Sequence, residues 1–78
     1  MIEIYTYDNC IWCRKMKQHL NSRNVNFRAI SVTDSDNLKK VYKITGQKSV
    51  PVTIIGGNAI IGFDTKSVDT ALKSEQFI

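Results

Sequence analysis

Two cysteines three positions apart, Cys10 and Cys13, constrain this chain more than any other feature of its sequence. They follow a short apolar run at residues 2–6 and open a segment with helical periodicity. A thiol at the start of a helix faces unpaired backbone N–H groups and the positive end of the helix dipole, which favour its thiolate. The second thiol lies one turn further on the same face, where it can attack a disulfide formed by the first. The pattern predicts dithiol–disulfide exchange, with Cys10 as the more reactive and more accessible thiol.

Other uses of a cysteine pair stay open at this point. A structural disulfide is one alternative, although the start of the chain shows no signal-like leader and only one cysteine pair is present. A zinc site needs about four ligands, and the sequence offers two cysteines and one distant histidine, His19. We therefore expect no metal site in a single chain. A metal or iron–sulfur cluster that bridges two copies of the chain is an alternative from a different functional class.

The charge balance bears on the expected partners. Eleven basic residues against seven acidic ones give a formal net charge of +4. The basic residues are distributed over several segments, and this argues against nucleic acid as a partner. An acidic protein or an anionic thiol fits the charge better. No segment approaches the ~20 apolar residues of a membrane span, and no leader-like segment precedes Ile2, so we expect a cytoplasmic protein. Its length predicts one domain, residues 1–78, which we expect to be a monomer.

Hydrophobic periodicity and turn residues predict seven elements. They are a strand at 2–6, a helix at 11–23, a strand at 25–32, a helix that starts in the cluster 33–36 and stops at Gly46, strands at 50–55 and 59–61, and a last helix capped by Asp64 or Thr65. Asp8 or Asn9 is expected to cap the first helix. Leu38, Val41 and Tyr42 are expected to form the apolar face of the second.

The order of these elements, β-α-β-α-β-β-α, predicts an α/β protein with a thioredoxin-like fold. A four-stranded mixed sheet would carry helices on both faces. Because helices join the first three strands, we expect right-handed crossovers and parallel pairs among those strands. The closing hairpin around Gly56-Gly57 would add an antiparallel edge.

Four motifs in order carry a resemblance to a known family. They are Tyr5-Thr6, Cys10-x-x-Cys13, Gly46-x-x-Ser49-Val50-Pro51 and Ile61-Gly62-Phe63-Asp64. This set resembles the glutaredoxins and the glutaredoxin-like redoxins that reduce ribonucleotide reductase. The resemblance implies a thiol–disulfide oxidoreductase without a bound cofactor, in which Cys10 is the nucleophile and Cys13 the resolving thiol. Its implied partners are glutathione, as the reductant, and client proteins with disulfides, which include ribonucleotide reductase in the second branch.

The resemblance also implies a surface that binds glutathione and other substrates. Val50-Pro51 matches the family's cis-proline, and the backbone of Val50 would pair with the main chain of glutathione. The other residues expected on this surface are Tyr7, Trp12, Lys48, Ser49, Gly62, Phe63, Asp64 and Thr65.

Two departures from the family pattern distinguish its branches. Dithiol glutaredoxins usually carry Pro-Tyr between the cysteines, where this chain has Ile11-Trp12. They commonly read Gly-Gly-x-Asp after the last strand, where this chain reads Gly62-Phe63-Asp64-Thr65, so Thr65 takes the position of the acid that binds the glutathione amino group. The Gly-Phe pair resembles the ribonucleotide reductase donors, which exchange with thioredoxin reductase. The sequence favours a glutaredoxin, with such a donor as the alternative.

Overall fold

The structure, a computed structural model, describes residues 1–78. Its elements are β1 (Ile2–Thr6), α1 (Ile11–Ser22), β2 (Phe27–Ser31), α2 (Ser35–Thr45), β3 (Val52–Ile55), β4 (Asn58–Ile61) and α3 (Thr65–Ser74). The predicted order of elements is confirmed. Several boundaries differ from the prediction by one or two residues. β2 and β3 each begin two residues later than the apolar pattern indicated, β4 begins one residue earlier, and α1 and β2 each end one residue earlier. No helix combines the length and the apolar character needed to span a membrane.

The four strands form one mixed sheet in the order β2-β1-β3-β4. β1 is parallel to β2, whereas β3 is antiparallel to both β1 and β4. The predicted parallel pairing among the first three strands is therefore wrong for β3. The connection between α2 and β3, residues 46–51, has six residues, and a segment of this length spans at most about 20 Å. It returns the chain to the end of the sheet where β1 finishes. Val52 consequently pairs with Tyr5 near the start of β3.

Alternation along the strands divides the interior into two clusters. One lies under α1 and α3 and includes Ile2, Ile4, Met16, Leu20 and Leu72, all fully buried. Burying a side chain of this size contributes about 1.5–3 kcal/mol relative to leaving it exposed. The other lies under α2 and consists of Tyr5, Val32, Val41 and Val52. The sheet thus has helices on both faces, as the sequence predicted.

The end of α2 confirms one sequence prediction and corrects another. Gly46 closes the helix in the left-handed conformation, with φ +75°, which glycine adopts without the steric penalty of a Cβ. Tyr42, expected in the apolar face, is 54% exposed. Val41 and the partly buried Leu38 carry the packing against the sheet instead.

Candidate active site

The first cysteine begins α1 and caps it. Cys10 has extended backbone angles, and its Sγ accepts a hydrogen bond from the Cys13 N–H at 3.1 Å. The prediction that Asp8 or Asn9 caps this helix is wrong, because the cysteine sulfur occupies the capping position. Cys10 and Cys13 are joined in a disulfide, with their Cα atoms 5.2 Å apart. The capping bond keeps a backbone donor directed at the Cys10 sulfur.

Burial separates the two sulfurs. Cys13 is fully buried, in line with Met16 and Leu20 on the inner face of α1, whereas Cys10 is partly exposed. A partner can therefore reach Cys10 from solvent. Cys13 is accessible only through Cys10, which is the arrangement that attack followed by internal resolution needs.

The residues that flank the dithiol carry a net positive charge, because Asp8 precedes it and Arg14, Lys15 and Lys17 follow it. The first turn of α1 contains no acidic residue, and the exposed side chains of Arg14 and Lys15 follow Cys13. The Lys15 ammonium lies 4.8 Å from the centroid of the Trp12 ring, within the range of a cation–π contact. Positive charge and the helix N-terminus both favour an anionic sulfur at Cys10.

A shallow groove of about 410 Å³ lies beside the dithiol, and its lining is largely apolar. Five residues line it: Trp12, Val50, Pro51, Gly62 and Phe63. The Val50–Pro51 bond is cis. The rings of Trp12 and Phe63 are tilted against each other with centroids 5.5 Å apart, although each residue keeps over two fifths of its surface exposed. All five belong to the substrate-binding surface predicted from the sequence.

Gly62 connects the two sides of this groove. Its N–H donates to the Pro51 carbonyl at 2.8 Å, and its φ of +78° lies in the left-handed region. A residue with a Cβ would adopt this conformation at a steric cost. The turn directs Phe63 back toward Trp12, so the groove depends on both the glycine and the aromatic pair.

Comparison with known proteins agrees with this geometry. Residues 2–60 match the family model described as Glutaredoxin. The chain belongs to the glutaredoxin family. It is 35% identical over 74 residues, 94% of this chain and 99% of the other, to an uncharacterized glutaredoxin-like 8.6 kDa protein in a rubredoxin operon of Clostridium pasteurianum.

Two solved structures of glutaredoxin-type proteins are also similar. The glutaredoxin-like protein NrdH-redoxin from Escherichia coli is 26% identical with a TM-score of 0.77, over 88% of this chain and 91% of that one. A buckwheat glutaredoxin in complex with glutathione is 25% identical with a TM-score of 0.76, over 95% of this chain and 74% of that one. The fold of this glutaredoxin-family chain is thus shared with a glutaredoxin and with a glutaredoxin-like NrdH-redoxin.

Asp64 and Thr65 lie at the start of α3. Asp64 is the N-cap, and its two carboxylate oxygens accept hydrogen bonds from the hydroxyl and the backbone N–H of Ser67, at 2.7 and 3.0 Å. These bonds hold the pKa of the Asp64 carboxyl below its ordinary value. Thr65, the first residue of α3, is partly buried. Asp64 therefore has a capping role, and glutathione binding by this pair stays a prediction.

The remaining predicted residues lie outside the groove lining. Tyr7 is 48% exposed at the end of β1, and Ser49 is exposed just before Val50. Lys48 lines a second depression next to Tyr42, with its ammonium 5.9 Å from the centroid of that ring. Sequence reasoning did not predict this neighbour of Lys48, because it assigned Tyr42 to the core.

Sequence reasoning also did not predict that Lys15 contacts the indole of Trp12. The spacing of three positions on one helix was the signal that could have revealed this contact.

No group of three or more histidine, cysteine, aspartate or glutamate side chains is arranged to hold a metal ion.

Proposed function

We propose that this glutaredoxin-family chain reduces protein disulfides and glutathione mixed disulfides through Cys10 and Cys13, with glutathione as the reductant. The observation that carries the proposal is the pairing of a partly exposed Cys10 with a fully buried Cys13 at the start of one helix. The groove beside the pair supplies a surface for the partner. A reducing compartment such as the cytosol would keep the cycle running.

The reaction consists of two exchanges. The Cys10 thiolate attacks one sulfur of the client disulfide, forms a mixed disulfide and releases the other client sulfur as a thiolate, which takes up a proton. The Cys13 thiol then loses its proton, and its sulfur attacks Cys10. The second client thiolate leaves, and the Cys10–Cys13 disulfide forms. Two electrons have passed to the client, and two glutathione thiols return the protein to the dithiol while forming glutathione disulfide.

The groove supports the docking step of this proposal. Val50 precedes the cis peptide bond and lines the groove with Trp12 and Phe63. An extended substrate could pair with the Val50 backbone while an apolar part of it contacts the two rings. Trp12 and Phe63 thereby act as anchors for the partner.

A second candidate is a donor to ribonucleotide reductase that is recycled by thioredoxin reductase. Two observations favour it: the similarity to NrdH-redoxin, and Phe63 packed on Trp12 where glutathione-dependent relatives commonly carry a second glycine. Thr65, in place of an acid, also removes a charged partner for the glutathione amino group. Both candidates use the same two cysteines, but they differ in the reductant and in the client protein.

One experiment distinguishes the two candidates. The oxidised protein is mixed with NADPH and a small disulfide as the final acceptor. One reaction also contains glutathione and glutathione reductase, and the other contains thioredoxin reductase. The consumption of NADPH is followed in both. Turnover with the glutathione system supports the first proposal. Turnover with thioredoxin reductase alone replaces it with the second, and a protein inert in both systems and toward dithiothreitol-driven exchange would contradict both.

A further inference from the structure

The excess positive charge of this protein is concentrated in one region. Residues 37–63 contain four lysines and no acidic residue, so they carry a formal charge equal to the whole net charge of +4. Outside this stretch the acidic and basic residues balance. The basic residues are dispersed along the chain, but the charge that acidic residues do not balance lies in this stretch. The four lysines are Lys39, Lys40, Lys43 and Lys48.

None of these lysines is neutralised by the fold. All four are exposed, and the two ion pairs in the structure both involve Asp69 on α3. Asp36 lies about one helical turn before Lys39 and Lys40, but it forms no ion pair with either of them. The Asp34 carboxylate accepts the Asp36 N–H at 2.9 Å. The lysines thus present unpaired charge to solvent.

Two of the lysines border a depression of about 510 Å³, which we term the lysine groove. Its lining consists of Ser35, Leu38, Lys39, Tyr42 and Lys48. The exposed ring of Tyr42 lies beneath the Lys48 ammonium. An apolar floor between two ammonium groups suits a polypeptide segment that carries both carboxylates and carbon chains.

The lysine groove is close along the chain to the groove beside the dithiol. Lys48 stands two residues before Val50, so their Cα atoms lie within about 7 Å of each other. Val50 lines the groove beside Trp12 and Phe63. A segment extended along residues 48–50 would run from Val50, which lines one groove, to Lys48, which lines the other.

From this arrangement we infer that the protein selects client polypeptides with acidic residues a few positions from the target disulfide, and that the lysine groove binds those residues. This inference rests on the proposed disulfide reduction by Cys10. Complementary charge raises the rate of encounter by about 10–10³-fold at low ionic strength, and salt reduces the effect. The neighbouring dithiol favours a polypeptide over a nucleic acid, because its chemistry requires sulfur in the partner. Single-strand recognition also uses several stacking aromatics, and the lysine groove contains only Tyr42.

The test uses peptide disulfides that differ only in their flanking residues. One peptide carries three glutamates beside the disulfide, and the other carries three glutamines. The protein is reduced beforehand and the reductant removed, so that a single turnover is measured independently of the recycling system. We expect the glutamate peptide to react about tenfold faster than the glutamine peptide at low salt. The ratio should fall toward one at high salt.

Two charge-matched double variants locate the effect. Lys39→Gln/Lys48→Gln should bring the ratio of the two rates close to one. Lys66→Gln/Lys73→Gln removes the same charge from α3 and should keep most of the ratio. All four positions are exposed, and circular dichroism of both variants checks that the fold is retained.

Three outcomes would overturn the inference: equal rates for the two peptides in the wild type, an equal loss of the ratio in both double variants, or equal competition by a single-stranded oligonucleotide and the glutamate peptide. A reduced protein that reacts with neither peptide would instead contradict the proposed disulfide reduction itself.

Discussion

The two ends of α1 differ in exposure and in their contacts with the rest of the fold. At its N-terminus, Cys10, Trp12 and Lys15 are at least partly exposed and lie beside an open groove. At its C-terminus, His19 and Arg23 are tied to Asp69 of α3 by contacts of 2.8–3.0 Å. The helix is therefore held to its neighbour at the end away from the dithiol. Stabilising contacts are concentrated where no partner needs access, and the reactive end keeps its surface free.

The ion pairs of Asp69 with His19 and Arg23 join α1 to α3. Arg23 donates to both carboxylate oxygens, and His19 contacts one of them. The hydrogen bond from Arg23, followed by that from His19, holds the pKa of the Asp69 carboxyl well below its usual range. The lysines near the dithiol have no such partner, so their charge is available to a ligand. The following substitutions test whether the N-terminal end of α1 and its groove serve the reaction while the C-terminal end serves stability. They are given in order of decreasing expected effect.

The largest effect is expected at the cysteines. Cys10→Ser should abolish turnover, because no other exposed thiol exists. Cys13→Ser should accumulate a mixed disulfide between Cys10 and the client, detected by intact-protein mass spectrometry. The double variant serves as the control and should trap nothing. Preferential alkylation of Cys13 in the reduced wild-type protein would reverse the two assigned roles.

A change of about tenfold is expected at Thr65. A charge-assisted hydrogen bond contributes ~1.5–3 kcal/mol against ~0.5–1.5 kcal/mol for a neutral one. Thr65→Asp should therefore raise kcat/KM with glutathionylated substrates about tenfold, by supplying a carboxylate to the glutathione amino group.

Thr70→Asp adds the same charge to an exposed position further along α3 and controls for net charge. If Thr65→Asp leaves turnover unchanged and the wild type uses only thioredoxin reductase, the glutathione proposal fails in favour of the reductase-linked donor.

A several-fold effect is expected at Trp12. Trp12→Ala should raise KM for a protein disulfide several-fold, because it removes one wall of the groove and the contact with Phe63. The free energy of unfolding should change by only about 1 kcal/mol, since the side chain is half exposed and an aromatic pair contributes ~0.5–1.5 kcal/mol. Ile11→Ala, an exposed neighbour outside the groove, is the matched control. Equal KM values for the two variants would remove the anchor role of Trp12.

The smallest effect is expected at the opposite end of α1. Asp69→Asn should lower the free energy of unfolding by up to about 1 kcal/mol and leave turnover unchanged. The folded-state pKa of Asp69 lies below its unfolded value. Its contribution is therefore complete above the unfolded pKa of about 3.9 and is lost progressively as the pH falls below it.

Urea unfolding between pH 3 and pH 7 measures this dependence. The difference between the wild type and Asp69→Asn should be constant above about pH 5 and shrink below about pH 4. Asp8→Asn, which removes an exposed carboxylate without an ion pair, should show neither effect. A difference that is unchanged at pH 3 would show that Asp69 acts through packing and not through its charge.

Local features of the sequence determined the secondary structure of this protein and the position of its dithiol. The order of elements, the buried stripe of α1 and the helix end at Gly46 were predicted from spacing and from residue conformation. These properties depend on neighbours within about four positions, which a linear pattern records directly. The dithiol at the start of a helix belongs to the same class, and so does the glutaredoxin resemblance that its flanking motifs carry.

Only the tertiary structure decided how distant elements meet. The antiparallel direction of β3, the stacking of Phe63 on Trp12 and the contact of His19 with Asp69 join residues far apart in the chain. The exposure of Tyr42 beside Lys48 likewise depends on how α2 sits on the sheet. Periodicity assigns a residue to a face of its own helix or strand. What that face contacts is set by the path of the loops and by the packing of other elements, and no local pattern encodes these.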